Sequence, residues 1–439
     1  MILALLTPAL HIPKARAQGL SLITDAETEN LIREYSTPLF QAAGLSPQSI
    51  RIFLVNDPAL NAFVTAGNRM FINTGLIMQA KSPSEVIGVI AHETGHIAGG
   101  HVSLRGENLE NSNIIALAST LLGVGVAIAT GEGAAAGVFS AAGQSAGLAN
   151  ILSYSRRQEA AADQAAINYL KATEQSPAGL RDFMSVLLGK EVLLTQNQDP
   201  YLRTHPLTRD RVNFLDDQTQ RSPYKDRPVR ADLVQKHERV KAKLAAFLNS
   251  VNSTFRDYPE SDTSLPARYA RSIAYYKDSE LDKALAELDK LIAENPQDPY
   301  FLEFKGQMLF EFGKGQEAIA PLEQAVAILP KANSIRYLLI RALAESDTPE
   351  NNKKAMEHLN VALQIQQNHP GLWRQAAILF GRQDNKGMTS LALAERAFAL
   401  GNFGEAIGYG ERAIKLLDAG TPAKLRANDL VATARLRKQ

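Results

Sequence analysis

From about residue 265 the chain repeats itself. Ala284 and Ala318 lie 34 residues apart, as do Pro296 and Pro330, and Gly306 stands twelve residues before Ala318. The segments around them, KALAELDKLIAENP and EAIAPLEQAVAILP, carry apolar residues at helical spacing. Small residues and a closing proline recurring at one period specify a single supersecondary unit used several times. Each unit has an apolar face that only a neighbouring unit can cover, so the segment must stack into an array.

A 34-residue helix–turn–helix period with a small residue on the first helix resembles the tetratricopeptide repeat. Ala355 continues the series after 37 residues, a three-residue insertion, and Ala406 in GNFGEAIGYGERAIKLL marks a later unit. Between these two, GLWRQAAILFGRQ is helical but off-register, and its Trp373 reads as core. Such an array leaves a concave groove for peptides or partner proteins. Residues 265–439 are therefore expected to be a docking module.

The full chain of 439 residues is too long for one compact domain. With 45% hydrophobic and 21% charged residues and a formal net charge of +1, it has a globular balance and no global field toward nucleic acid. There is no cysteine, which excludes disulfides, thiol catalysis and cysteine-ligated metal. Residues 2–10, ILALLTPAL, are apolar, and Ala15-Arg16-Ala17 reads as a small-x-small cleavage site. Residues 1–17 are thus expected to be a signal peptide, although no basic residue precedes the apolar run, and the protein is expected to be exported. The remaining divisions are 18–220 for a first domain, 221–264 for a charge-rich helical linker, and 265–439 for the repeats.

The chemistry is concentrated in SPSEVIGVIAHETGHIAGGH, residues 82–101. Ser84 before Glu85 reads as a helix cap, and Val86, Ile87, Val89 and Ile90 as an apolar face entering the core. His92 and His96 are four residues apart, about 40° around a helix, so both imidazoles leave one face as two ligands of a tetrahedral zinc require. Glu93 can then serve as general base. His101 comes one position too early for the third histidine of a metzincin, and one residue is about 100° on a helix. It is placed near the site or at the helix end.

A second helix is read over 151–170, ILSYSRRQEAAADQAAINYL, with Glu159 and Asp163 on one face. Glu159 would complete a His2Glu set with one position open, and Asp163 would accept a hydrogen bond from a ligand histidine. Charged pairs at this spacing also serve simply as a solvated helix face.

HETGH followed some 60 residues later by SRRQEAAAD resembles the HtpX-like and CAAX-prenyl-protease-like gluzincin metallopeptidases. In that family the second motif is a Glu ligand with an Asp four residues on, matching Glu159 and Asp163. NAFVTAGNRMFINTGLI (61–77) looks like the family's strand pair, and THPLTRDRV (204–212) its downstream HPxxxxR element, here His205, Pro206 and Arg211. With export and repeats added, the chain is similar to periplasmic, repeat-bearing members of that family. The resemblance implies one Zn2+ per chain and hydrolysis of stalled or misfolded outer-membrane proteins. It also implies docking of the repeats onto the barrel-assembly machinery, and a loop histidine, His205, that can approach the zinc and block its open position. On physical grounds His205 or Arg211 could instead stabilise a tetrahedral intermediate.

The expected fold is α+β and predominantly helical: a zincin-type metallopeptidase domain with a small sheet, then an all-α repeat array. The expected activity is zinc-dependent endopeptidase; the alternative is a chaperone or adaptor working through the repeats with a latent zinc site. Ile114–Thr130 is a mildly hydrophobic stretch of 17 residues. It leaves three readings of 114–149: a packed hairpin, a lid in peripheral membrane contact, or a span. Phe71-Ile72-Asn73 is a candidate strand edge for substrate backbone. His237, His358 and His369 are expected at the surface, and His11 falls in the signal segment.

Overall fold

A computed structural model describes residues 20–101, 155–193 and 200–438. The expected signal segment 1–17 and the apolar stretch 114–149 lie outside the described residues.

The first domain is built around a four-stranded sheet of order β1-β2-β4-β3: Leu22–Ile23, Arg51–Val55, Arg69–Asn73 and Ala62–Thr65. β2 and β4 run parallel; the outer pairs are antiparallel. β4 is therefore internal, and the expectation that Phe71–Asn73 offers a free edge is corrected. The 62–73 hairpin turns through Gly67 and Asn68, both at positive φ, and folds β3 over one side of β4. Among the described residues β3 is the outer strand of the sheet, and it packs against the histidine helix.

Strand alternation gives the sheet two apolar faces. Val55, Phe63 and Phe71 cluster on one, with the two phenylalanines stacked 4.8 Å apart. Leu54, Ala62, Val64, Met70 and Ile72 face the main core with α1 (Ala26–Ala42) and α3 (Pro83–Ala98). Between them lies the short α2, Thr74–Gln79.

α3 is a core helix. Val86, Ile87, Val89, Ile90 and Ala91 are at most 2% exposed. Fully burying each of the larger side chains is worth about 1.5–3 kcal/mol. The helix starts two residues earlier than expected: Ser82 is the N-cap and Pro83 takes the first position, where a proline loses no hydrogen bond. Two helices pack on α3, namely α4 (Arg156–Ala172) and α5 (Ala178–Leu193). α6 (Pro200–Thr204) and α7 (Arg209–Arg221) complete this part.

α8 (Ala231–Leu248) joins both halves. Its Leu233, Val240 and Leu244 enter the first core, whereas Ala242 and Ala246 pack with Tyr269, Ile273 and Phe304 of the repeats. Charge reinforces the junction: Lys243 Nζ lies 2.5 Å from Asp25, and Arg239 bridges Glu27 and Asp298. The packing also buries His237, expected at the surface, completely, with Nδ1 3.2 Å from Tyr35 Oη. α1 covers the face of α8 that bears it. His358 is half-buried beside Arg336, and His369 caps the helix that follows it through Leu372 N–H.

After α9 (Val251–Asp257), ten helices follow as five antiparallel pairs from Leu265 to Lys438 among the described residues. Ala284, Ala318, Ala355 and Ala406 all sit fully buried between paired helices. A side chain at Gly306 would place its Cβ 2.4 Å from Leu322, so the period of small residues is a period of close helix approaches. The off-register stretch forms its own pair, Pro370–Arg382 with Lys386–Ala399, and Trp373 packs partly buried against the repeat core. Among the described residues no helix is long and apolar enough to cross a membrane.

Candidate metal centre

α3 carries His92, Glu93 and His96 into the interior, all at 0% exposure. What brings a second helix to them is the fourth residue of HETGH. A Cβ on Gly95 would stand 2.9 Å from Ala162 O and 3.0 Å from Ala162 Cα. With no side chain there, α4 lies almost backbone to backbone against α3. α4 begins in a capping box: Ser155 accepts from Gln158 N–H, and the Gln158 side chain accepts from Ser155 N–H. This fixes Glu159 in the first turn, where the helix dipole favours a carboxylate. Residues 151–154, read as part of the same helix, lie outside the described residues.

His92 Nε2 and His96 Nε2 are 3.2 Å apart. Glu159 Oε2 is 3.4 Å from the first, and Oε1 3.3 Å from the second. His205, just beyond α6, stacks on Tyr201 and brings Nδ1 to 3.1 Å from Glu159 Oε1 and Nε2 to 3.3 Å from Glu93 Oε1. His92, His96, Glu159 and His205 each offer a donor atom within 4.8 Å of every other, and all four are buried. Ligands about 2.05 Å from a tetrahedral ion are themselves about 3.3 Å apart, so the His92, His96 and Glu159 atoms stand at metal-ligand spacing. Glu93 is buried beside them, with Oε1 facing His205. The donor set fits a divalent metal.

Around the four lies a ring of supporting groups. His92 Nδ1 is 2.9 Å from Asp163 Oδ1, and His96 Nδ1 is 3.0 Å from Nδ1 of His101. Arg211, on α7, binds Asp163 with two nitrogens and Glu159 Oε2 with a third, at 2.6 Å, and donates to Pro206 O. Sequence reasoning singled out Asp163, His205 and Arg211 but gave His101 no partner. The two glycines before His101 were the available signal. Nothing in the sequence announced that Arg211 reaches both acids.

The electrostatics follow from burial. Burial pushes Glu93 up to about 7, partly offset by His205 and His92. It opposes charge on His92, yet Asp163 and Glu159 carry that residue up to about 9. Burial pushes His96 well down, despite a hydrogen bond to Glu159. Glu159, although buried, is held far below the usual carboxylate range by His205, His92 and His96. Asp163, also buried, is held low by Arg211 and His92.

Residues 25–219 match peptidase family M48, and residues 269–333 match the tetratricopeptide repeat. The chain carries an M48 peptidase domain followed by tetratricopeptide repeats. Its similarity to curated relatives runs through both parts. The "beta-barrel assembly-enhancing protease" of Yersinia pestis is 25% identical over 406 residues, 90% of this chain and 80% of the relative. Its namesake in Escherichia coli K12 is 22% identical over 409 residues, 91% and 80% respectively. The "Metalloprotease LoiP" of Escherichia coli K12 shares 28% identity over 177 residues, 39% of this chain and 62% of that protein. The M48 domain makes the chain a metallopeptidase, and the buried donor cluster lies within it.

Proposed function

We propose that the M48 domain is a zinc endopeptidase in which His92, His96 and Glu159 hold one Zn2+ and Glu93 is the general base. The observation that carries this is the spacing of 3.2, 3.3 and 3.4 Å among the three donors, with Glu93 buried beside them. When bound, zinc supplies a Lewis acid that acidifies water and polarises the scissile carbonyl. Glu93 takes the proton of the attacking water and delivers it to the leaving amine. Asp163 accepts the Nδ1 proton of His92 and so keeps Nε2 bare. Arg211 holds Glu159 and Asp163 in place.

Glu93→Gln tests the assignment. Zinc content should stay at wild-type level while casein hydrolysis is lost; a variant cleaving at the wild-type rate would sink it.

Likeness along most of the chain to beta-barrel assembly-enhancing proteases supports a wider reading. The protein works in the periplasm on stalled or misassembled outer-membrane proteins, with residues 265–439 docking onto the barrel-assembly machinery. Residues 1–17 are the export signal, 18–220 the peptidase and 221–264 the connection between the two. In a periplasmic fraction, Glu93→Gln should retain unassembled outer-membrane proteins that wild type releases; recovery of none would count against this substrate class.

A second reading rests on His205 standing inside the donor set. There it makes the site latent, and the repeats do the work as chaperone or adaptor. Loss of function on deleting the repeats but not on Glu93→Gln would favour it.

A further inference from the structure

We infer that His101 is a positioning residue for the metal ligand His96, an inference that rests on the zinc reading above. On a continued helix a residue five positions on lies about 140° around the axis, facing away from His96. The chain is not continued. Gly100 adopts a φ of +64°, the left-handed conformation that ends helices, and His101 N–H turns back to donate to His96 O at 3.1 Å. This reversal returns the His101 ring to the last turn of α3. Its Nδ1 lies 3.0 Å from His96 Nδ1, with the rings 5.1 Å apart and 72° from parallel.

Gly99 makes the room. A Cβ there would stand 2.6 Å from His101 Nε2 and 2.9 Å from Cε1. The segment GlyGlyHis is thus a built unit: one glycine reverses the chain, and the other lets the ring lie down. His101 is only 9% exposed, so its ring nitrogens are largely withdrawn from water.

The chemistry gives the contact its meaning. His96 Nε2 faces His92 Nε2 and Glu159 Oε1. A neutral imidazole that offers Nε2 to a cation carries its proton on Nδ1, and a partner at Nδ1 fixes the tautomer and the ring orientation. His101, as the Nε2–H tautomer, accepts that proton at its own Nδ1. The two ligand histidines are therefore oriented differently: His92 by a carboxylate, Asp163, and His96 by a neutral imidazole.

The test uses the full chain and measures zinc affinity by chelator competition, with the melting midpoint of the zinc-free protein as a check on folding. His101→Leu keeps bulk but removes the acceptor, and zinc binding should weaken about 10- to 100-fold, the usual cost of losing such a partner. His101→Asn can place Oδ1 where Nδ1 stood and should stay within a few-fold of wild type. Gly99→Ala, which displaces the ring, should move toward the leucine variant. The visible spectrum of the cobalt-substituted protein should change in His101→Leu and not in His101→Asn. Wild-type affinity in His101→Leu, or equal losses in the leucine and asparagine variants, would overturn the inference. A wild-type chain that binds no zinc would overturn this and the metal reading together. Should the leucine variant fail to fold, the asparagine and Gly99→Ala variants decide the matter between them.

Discussion

Arg211 grips Asp163 through two parallel hydrogen bonds, Nε to Oδ2 at 2.6 Å and Nη2 to Oδ1 at 2.9 Å. Its remaining nitrogen, Nη1, reaches Glu159 Oε2 and Pro206 O. One guanidinium thus ties α4, with both its acids, to the loop that carries His205. Thr208 caps α7 by accepting from Arg211 N–H, which fixes where the side chain starts. The groups Arg211 binds are all parts of the site, so its role is to hold the site together.

Arg211→Met should leave Asp163 and Glu159 buried without their cation, at a cost of about 3–5 kcal/mol. Arg211→Lys keeps the charge but not the fork, and should lie between methionine and wild type. Denaturant unfolding of the zinc-free proteins measures both. A loss below about 1 kcal/mol for methionine, the scale of an exposed pair, would contradict the grip.

Glu93, raised to about 7 by burial, must lose its proton to act as a base. In the metal-free protein this carboxyl is therefore expected to lose its proton near pH 7, well above the ordinary glutamate range of about 4.3. The divalent charge of a bound zinc draws that value down, so the acid limb of kcat/KM should lie below the metal-free titration. A metal-free Glu93 that titrates at pH 4–5 by NMR would show that burial does not govern this carboxyl.

His205→Ala should increase cleavage of an unfolded substrate. If the imidazole fills the site in nine molecules of ten, removing it raises the competent fraction on the order of tenfold. A drop in kcat with KM unchanged would instead give His205 a part in the transition state.

Metal removal should also be visible without any substrate. A ligand that binds only the folded state stabilises it by about 4 kcal/mol at a thousand times its Kd. Added zinc should therefore raise the melting temperature of the chelated protein, and His92→Ala should abolish the rise. Glu93→Gln should preserve it. A wild-type protein melting identically with chelator and with zinc would be incompatible with the cluster as a metal site.

What the sequence determined by itself is whatever local periodicity controls. His92, Glu93 and His96 share a buried helix because four residues make slightly more than one turn, and the apolar run around them can only be core. The 34-residue recurrence of small residues specified stacked helix pairs, since each marks a close approach to the next helix. Contacts between distant segments were decided only by the tertiary structure. Glu159 and Asp163 were legible as a pair on one face, but Gly95 is what lets α4 approach closely enough for Glu159 to stand 3.3 Å from His96. Spacing along the chain gave His237 no sign of burial, because the helix that covers it lies some 200 residues earlier. It likewise assigned β4 an edge that β3 and β2 both occupy. His101 is the closest case. Read as a continued helix it points away from His96, and a single left-handed residue, Gly100, turns it back. Helical periodicity propagates only while the helix does, and here the side chains around the site are placed by how the chain ends one helix and packs the next against it.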